Sequence, residues 1–96
     1  MKMIMVVYNE AVDDEIMEAL ESSSLENYTK IKSIYGRGKT SGAHLGNDIW
    51  PGRNNMIFVS CQDKESAVFV SAIGKLRKTL GKEGVKAFVM PLDEII

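Results

Sequence analysis

An α+β fold with the element order β-α-β-β-α-β is what this 96-residue sequence predicts, and three observations predict it. Two short, continuously apolar runs, at Met3 to Tyr8 and Asn55 to Cys61, are rich in β-branched residues and too short for stable helices, so they read as buried strands. Each is followed by a stretch with apolar residues at helical spacing. Between the two halves lies a segment, Gly36 to Asn55, that breaks all periodicity and holds five of the eight glycines.

Met3 to Tyr8 (MIMVVY) is the first strand. From Glu10 the pattern changes: Val12, Ile16, Ala19 and Leu20 recur at i, i+4, i+7 and i+8, and Asp13, Asp14 and Glu15 crowd a first turn whose dipole favours negative charge. This first helix fades at Ser22 to Ser24. Tyr28 to Tyr35 alternates Lys30 and Lys32 with Ile31 and Ser33, the period of a strand with one wet face, as expected of an edge. Asn55 to Cys61 is the third strand. Asp63 makes a good N-cap for a second helix, with Val68, Phe69, Ala72, Ile73, Leu76 and Leu80 along one face, closed by Gly81 and Gly84. Val85 to Met90 (VKAFVM) is the last strand, stopped by Pro91, and Asp93 to Ile96 is too short to fold alone. The compact solution for this order is the ferredoxin-like split βαβ: one antiparallel four-stranded sheet, ordered 4-1-3-2, with both helices on one face. A single domain spans 1–96.

In that sheet Ile4, Val6 and Tyr8 point to one face and Met3, Met5 and Val7 to the other, while Met56 and Phe58 oppose Ile57 and Val59. Two helices cover one face, so the second apolar face calls for another chain. Hiding roughly 400 Å² per subunit would contribute on the order of 10 kcal/mol before association entropy. An obligate oligomer is therefore expected. The six methionines are expected to serve mainly as core filler.

Charge and composition narrow the function. Twelve Lys and Arg against thirteen Asp and Glu give a net charge of -1, which provides no field for non-specific nucleic-acid binding. The apolar runs are far shorter than a bilayer span, so membrane insertion is not expected and the cytoplasm is the expected compartment. One Cys (Cys61) and one His (His44) are too few soft ligands for a structural zinc site, so no metal is expected. No paired carboxylates or activated nucleophile is recognisable, and catalysis is not expected.

The Gly36 to Asn55 segment is several times longer than an ordinary hairpin connection, a length that goes with function or disorder. Its start, Gly36-Arg37-Gly38-Lys39-Thr40-Ser41-Gly42, combines close backbone approach, two cations and two hydroxyls, the chemistry an anionic ligand needs. It lacks the spacing of a Walker loop. Both helix N-termini are already acidic, so an anion must be held by loops, with Arg37 and Lys39 on one side and Lys82, Gly84 and Lys86 on the other. These clusters belong to opposite edges of the sheet and are expected to meet across a subunit boundary. His44, Trp50 and Arg53 are the side chains in the same segment suited to contacting a partner.

Ile34-Tyr35-Gly36-Arg37-Gly38, the long second excursion and above all Gly84-Val85-Lys86-Ala87-Phe88-Val89-Met90-Pro91-Leu92 resemble the nitrogen-regulatory PII signalling proteins and their PII-like relatives. The resemblance implies a homotrimer of ferredoxin-like subunits. It implies that the 36–55 loop is a T-loop that docks on a partner protein such as a transporter, enzyme or regulator. The turn holding Lys82, Gly84 and Lys86 would then be a B-loop that, with Gly36, Arg37, Gly38 and Lys39, binds an adenine nucleotide between subunits. Glu83-Gly84-Val85-Lys86 departs from the family's Gly-Asp-Gly-Lys, and no tyrosine lies between Gly36 and Asn55 for uridylylation. ADP, AMP or another small anion is thus the expected ligand in place of ATP with 2-oxoglutarate. The alternative is a trimer similar to the CutA-like metal-responsive proteins, using His44, Asp48 and Cys61.

Overall fold

The computed structural model of the chain describes residues 1–36, 53–80 and 84–96. Strand β1 (Lys2–Asn9) leads through a 3-10 turn (Glu10–Val12) into helix α1 (Asp13–Ser22), followed by β2 (Thr29–Ile34), β3 (Asn54–Cys61), helix α2 (Asp63–Leu80) and β4 (Val85–Pro91). The sheet runs β2-β3-β1-β4 with every neighbouring pair antiparallel, the order and topology expected from the sequence.

Burial alternates strictly along the two central strands, as a pleat with a helix layer on one side requires. Ile4, Val6, Tyr8, Ile57, Val59 and Cys61 meet Ile16, Ala19 and Leu20 of α1 and Phe69 and Ile73 of α2 in one core. Helix α1 ends in a Schellman motif: the Leu25 amide donates to Leu20 O at 3.0 Å and the Ser24 amide to Glu21 O at 3.0 Å, with Ser24 at φ 60°. The turn folds Leu25 back into the core beside Leu20.

The opposite face carries rows of apolar side chains in register. Met5 lies between Phe58 and Phe88, Val7 between Met56 and Lys86, and Met3 between Ser60 and Met90, while Ile31 flanks Met56. Ile31 and Phe88 are 40% and 45% exposed, and the central residues are half-buried. Neither helix covers this side.

Four expectations need correction. The methionines are mostly not core filler: Met3, Met5, Met56 and Met90 sit on the open face, and Met17 packs against the core. Asp63 is the first residue of α2, not its cap; Gln62 precedes the helix, and its amide donates to Glu65 Oε1 at 2.9 Å in the return half of a capping box. Val68, assigned to the buried stripe of α2, is 51% exposed, on the wall of an open groove between α1 and α2 that Glu18, Ala19 and Ser22 also line. In β2 the lysines do not form one solvent-facing set: Lys32 is exposed, but Lys30 opposes Ile57 on the helix side and is partly buried, while Ile31 lies on the open side.

Candidate functional site

Strands β1 and β3 end together. Asn9 pairs with Asn54 and Tyr8 with Asn55, while Ile34 of β2 also pairs with Asn54. The Asn9 amide donates to Gly84 O at 2.9 Å, and the next amide, of Glu10, donates to Arg53 O at 3.0 Å. The residues that flank both candidate loops therefore share one end of the sheet. Gly36 sits against β3, where an added Cβ would lie 3.1 Å from Asn54 Nδ2, tight enough that a larger residue would displace the amide. Arg53 is exposed, with its guanidinium carbon 6.0 Å from the centre of the Tyr35 ring.

Beneath this rim, on the helix side, side chains from β1, β2 and β3 converge on one carboxylate of α1. Asp13 accepts from Tyr8 Oη at 2.6 Å and from Asn55 Nδ2 at 3.3 Å on Oδ1, and from Lys30 Nζ at 3.0 Å on Oδ2. The ammonium also lies 2.9 Å from Oδ1 and 5.9 Å from the Tyr28 ring centre. Burial opposes the charge on Asp13, but the hydrogen bonds from Tyr8, Lys30 and Asn55 and the Lys30 charge outweigh it, so its pKa falls below the ordinary value. Burial, reinforced by the same carboxylate, pushes the Tyr8 phenol well above its usual range. Tyr8 thus keeps its proton and Asp13 its charge at neutral pH, and the cluster acts as a clamp.

The fully buried Asn55 also accepts the Ser33 amide at 3.2 Å. Ser33 adopts φ 57° at the bulge between Ile31 and Ile34, so the clamp also fixes where β2 ends and the loop departs.

Of the residues assigned to ligand binding from the sequence, Gly36 and Gly84 lie at this end of the sheet, and Lys86 is exposed on the open face beside Val7. Arg37, Gly38, Lys39 and Lys82 lie outside the described residues, as do His44 and Trp50 of the partner-facing set, whereas Arg53 is placed at the root of β3. The Tyr8, Asp13, Lys30 and Asn55 clamp was not foreseen. Its one sequence signal is a polar residue, Asn55, heading an apolar strand; the long-range pairing itself has no local signature.

Comparisons with known proteins bear on this arrangement. The family model of nitrogen regulatory protein P-II matches residues 1–96. The chain belongs to the P-II family. Its curated relative "Nitrogen fixation nifHD region GlnB-like protein 1" of Methanothermococcus thermolithotrophicus is 30% identical over 97 residues, covering 98% of this chain and 90% of that protein. Among solved structures, CPII of Thiomonas intermedia K12 bound to ADP, AMP and acetate superposes at a TM-score of 0.72 with 15% identity, covering 92% of this chain and 81% of CPII. A PII-like signaling protein of Thermus thermophilus matches at a TM-score of 0.66 and 15% identity, over 93% and 82% of the two chains. At these identities the structures establish a shared fold, the ferredoxin-like sheet of the P-II proteins. In this P-II chain no described helix is long and apolar enough to cross a membrane, and no group of three or more His, Cys, Asp or Glu capable of holding a metal occurs among the described residues.

Proposed function

We propose that this chain is a non-catalytic, cytoplasmic P-II signal transducer. In this reading it assembles as a homotrimer, binds an adenine nucleotide or a small oxoanion at the subunit clefts, and uses residues 36–55 to dock on a partner protein. The observation that carries the reading is the uncovered sheet face, where Met5, Phe58 and Phe88 form a continuous apolar row with exposed Lys86 one row away, next to the loop roots. Copies that close on this face would bring one subunit's Gly84 and Lys86 toward another's Gly36 and Arg37, uniting clusters that one subunit keeps on opposite edges. CPII, of the same fold, is described as bound to ADP, AMP and bicarbonate, which supports a ligand of this class.

Docking would follow from a population shift in the loop. Moving such an equilibrium from 1:99 to 99:1 takes about 5.5 kcal/mol of differential binding. Two charge-assisted phosphate contacts, at about 1.5–3 kcal/mol each, supply most of it. Calorimetry with ADP, AMP and bicarbonate on the native chain, Arg37→Ala and Lys86→Ala tests the reading. Binding by the native chain that weakens at least about tenfold in either variant, one lost contact of this size, supports it. The absence of heat with all three ligands, or equal heats in all three proteins, contradicts it.

A further inference from the structure

The two hydrogen bonds at the end of β1 join loops that the sequence places on opposite edges. The Asn9 amide holds Gly84 O, the last link of the α2 to β4 turn, and the Glu10 amide holds Arg53 O, the last link of the 36–55 loop. Only the φ and ψ of Asn9 separate these donors. They stand at -65° and 137°, and the Asn9 side chain accepts from the Ala11 amide at 2.8 Å, pinning the 3-10 turn that begins at Glu10.

We infer that Asn9 and Glu10 form a coupling element within each subunit. A displacement of Gly84 shifts the Asn9 amide, turns the peptide that follows and alters the hold on Arg53, and the reverse holds by linkage. This deepens the functional reading, on which its ligand arm rests: occupancy of the turn would reach the docking loop of the same subunit without passing through a neighbour.

Proline substitutions cut each link, because a ring carbon replaces the amide hydrogen and displaces its acceptor. Asn9 already has a proline-compatible φ, so Asn9→Pro removes the donor without forcing a new φ there, while its ring Cδ pushes Gly84 O away from the 2.9 Å position it holds. Asn9 also has the extended ψ required before proline, and Glu10 is the first residue of a helical turn, so Glu10→Pro removes the donor to Arg53. Asn9→Ala is the control that loses only the side-chain cap.

Amide exchange by NMR, without ligand, tests the coupling directly. In Asn9→Pro the Glu10 amide is expected to exchange about fivefold faster than in Asn9→Ala, and in Glu10→Pro the Asn9 amide about fivefold faster than in the native chain. Either variant suffices if the other does not fold, and unchanged protection in a folded variant overturns the inference. In the ligand arm, ADP is titrated by calorimetry and by the fluorescence of Trp50, the chain's only tryptophan. Glu10→Pro is expected to bind ADP with an altered affinity, as linkage requires of a cut coupling, and to lose more than about half of the Trp50 response. A full response with native heat overturns the coupling. An absence of ADP heat in the native chain overturns ADP as the ligand and leaves the exchange result to decide the inference.

Discussion

The face of the sheet that the helices cover and the face they leave open are built on the same two central strands, yet their chemistry differs. On the covered face Ile4, Val6, Ile57 and Val59 are at most 1% exposed, and β-branched side chains with few rotamers give a fixed core. On the open face Met3, Met5, Met56 and Phe58 are half-buried, and flexible methionines suit a surface that must fit another surface. The covered face also ends in a polar clamp, Tyr8, Asp13, Lys30 and Asn55, where β2 leaves the sheet. A doubly apolar strand can therefore serve two purposes: one side makes the subunit, and the other, in the proposed reading, makes the assembly.

Substitutions that treat the two faces differently would break or sharpen this contrast. The largest effect is expected from Phe58→Glu, which sets a charge in the middle of the open face. Sedimentation should show loss of the assembly while circular dichroism keeps its helical signal; an intact assembly would show that the face is not the contact. Next comes Phe69→Ala, which removes the fully buried ring of α2 and should cost about 3–5 kcal/mol in chemical denaturation. A loss below about 1 kcal/mol would mean that the covered core is loosely packed.

Asp13→Asn should cost about 1–3 kcal/mol, because it leaves Lys30 and the Tyr8 hydroxyl without their charged acceptor. It should also change the pH profile. Asp13 has a lowered folded pKa, so its contribution is complete at neutral pH and is lost as pH falls below about 4. Tyr8 has a raised folded pKa, so its contribution is complete below about 10 and is lost as pH rises beyond that. Asp13→Asn should flatten the acid limb and Tyr8→Phe the alkaline limb of stability against pH. The smallest effect is a gain: Ser24→Gly relieves the positive φ in the Schellman turn and should raise stability by about 0.5–1 kcal/mol in thermal melts.

Most of the fold was legible in the sequence because it is written in local periodicity. Met3 to Tyr8 and Asn55 to Cys61 announce central strands by being apolar on both faces, and the glycines and proline of 36–55 announce a break. The site was legible only in part. Gly36 and Gly84 stand at the loop roots, whereas Lys86, assigned to the turn before β4, lies within that strand; the hydrogen bonds that relate the loop roots come from backbone amides, which have no residue type of their own to read. The clamp pairs Asp13 with Lys30 and Asn55, 17 and 42 positions away, and nothing local marks such partners. The face of β2 was obscured for a similar reason: Lys30 is drawn to the helix side by Asp13, a charge on another element, which alternation within β2 does not reveal.

Sedimentation velocity of the native chain at micromolar concentration addresses the central claim most directly. The account predicts a single species of three times the 10.7 kDa chain mass, retained on dilution. A stable particle of 10.7 kDa would contradict it, since the row of Met5, Phe58 and Phe88 would then face water and no cleft between subunits would exist.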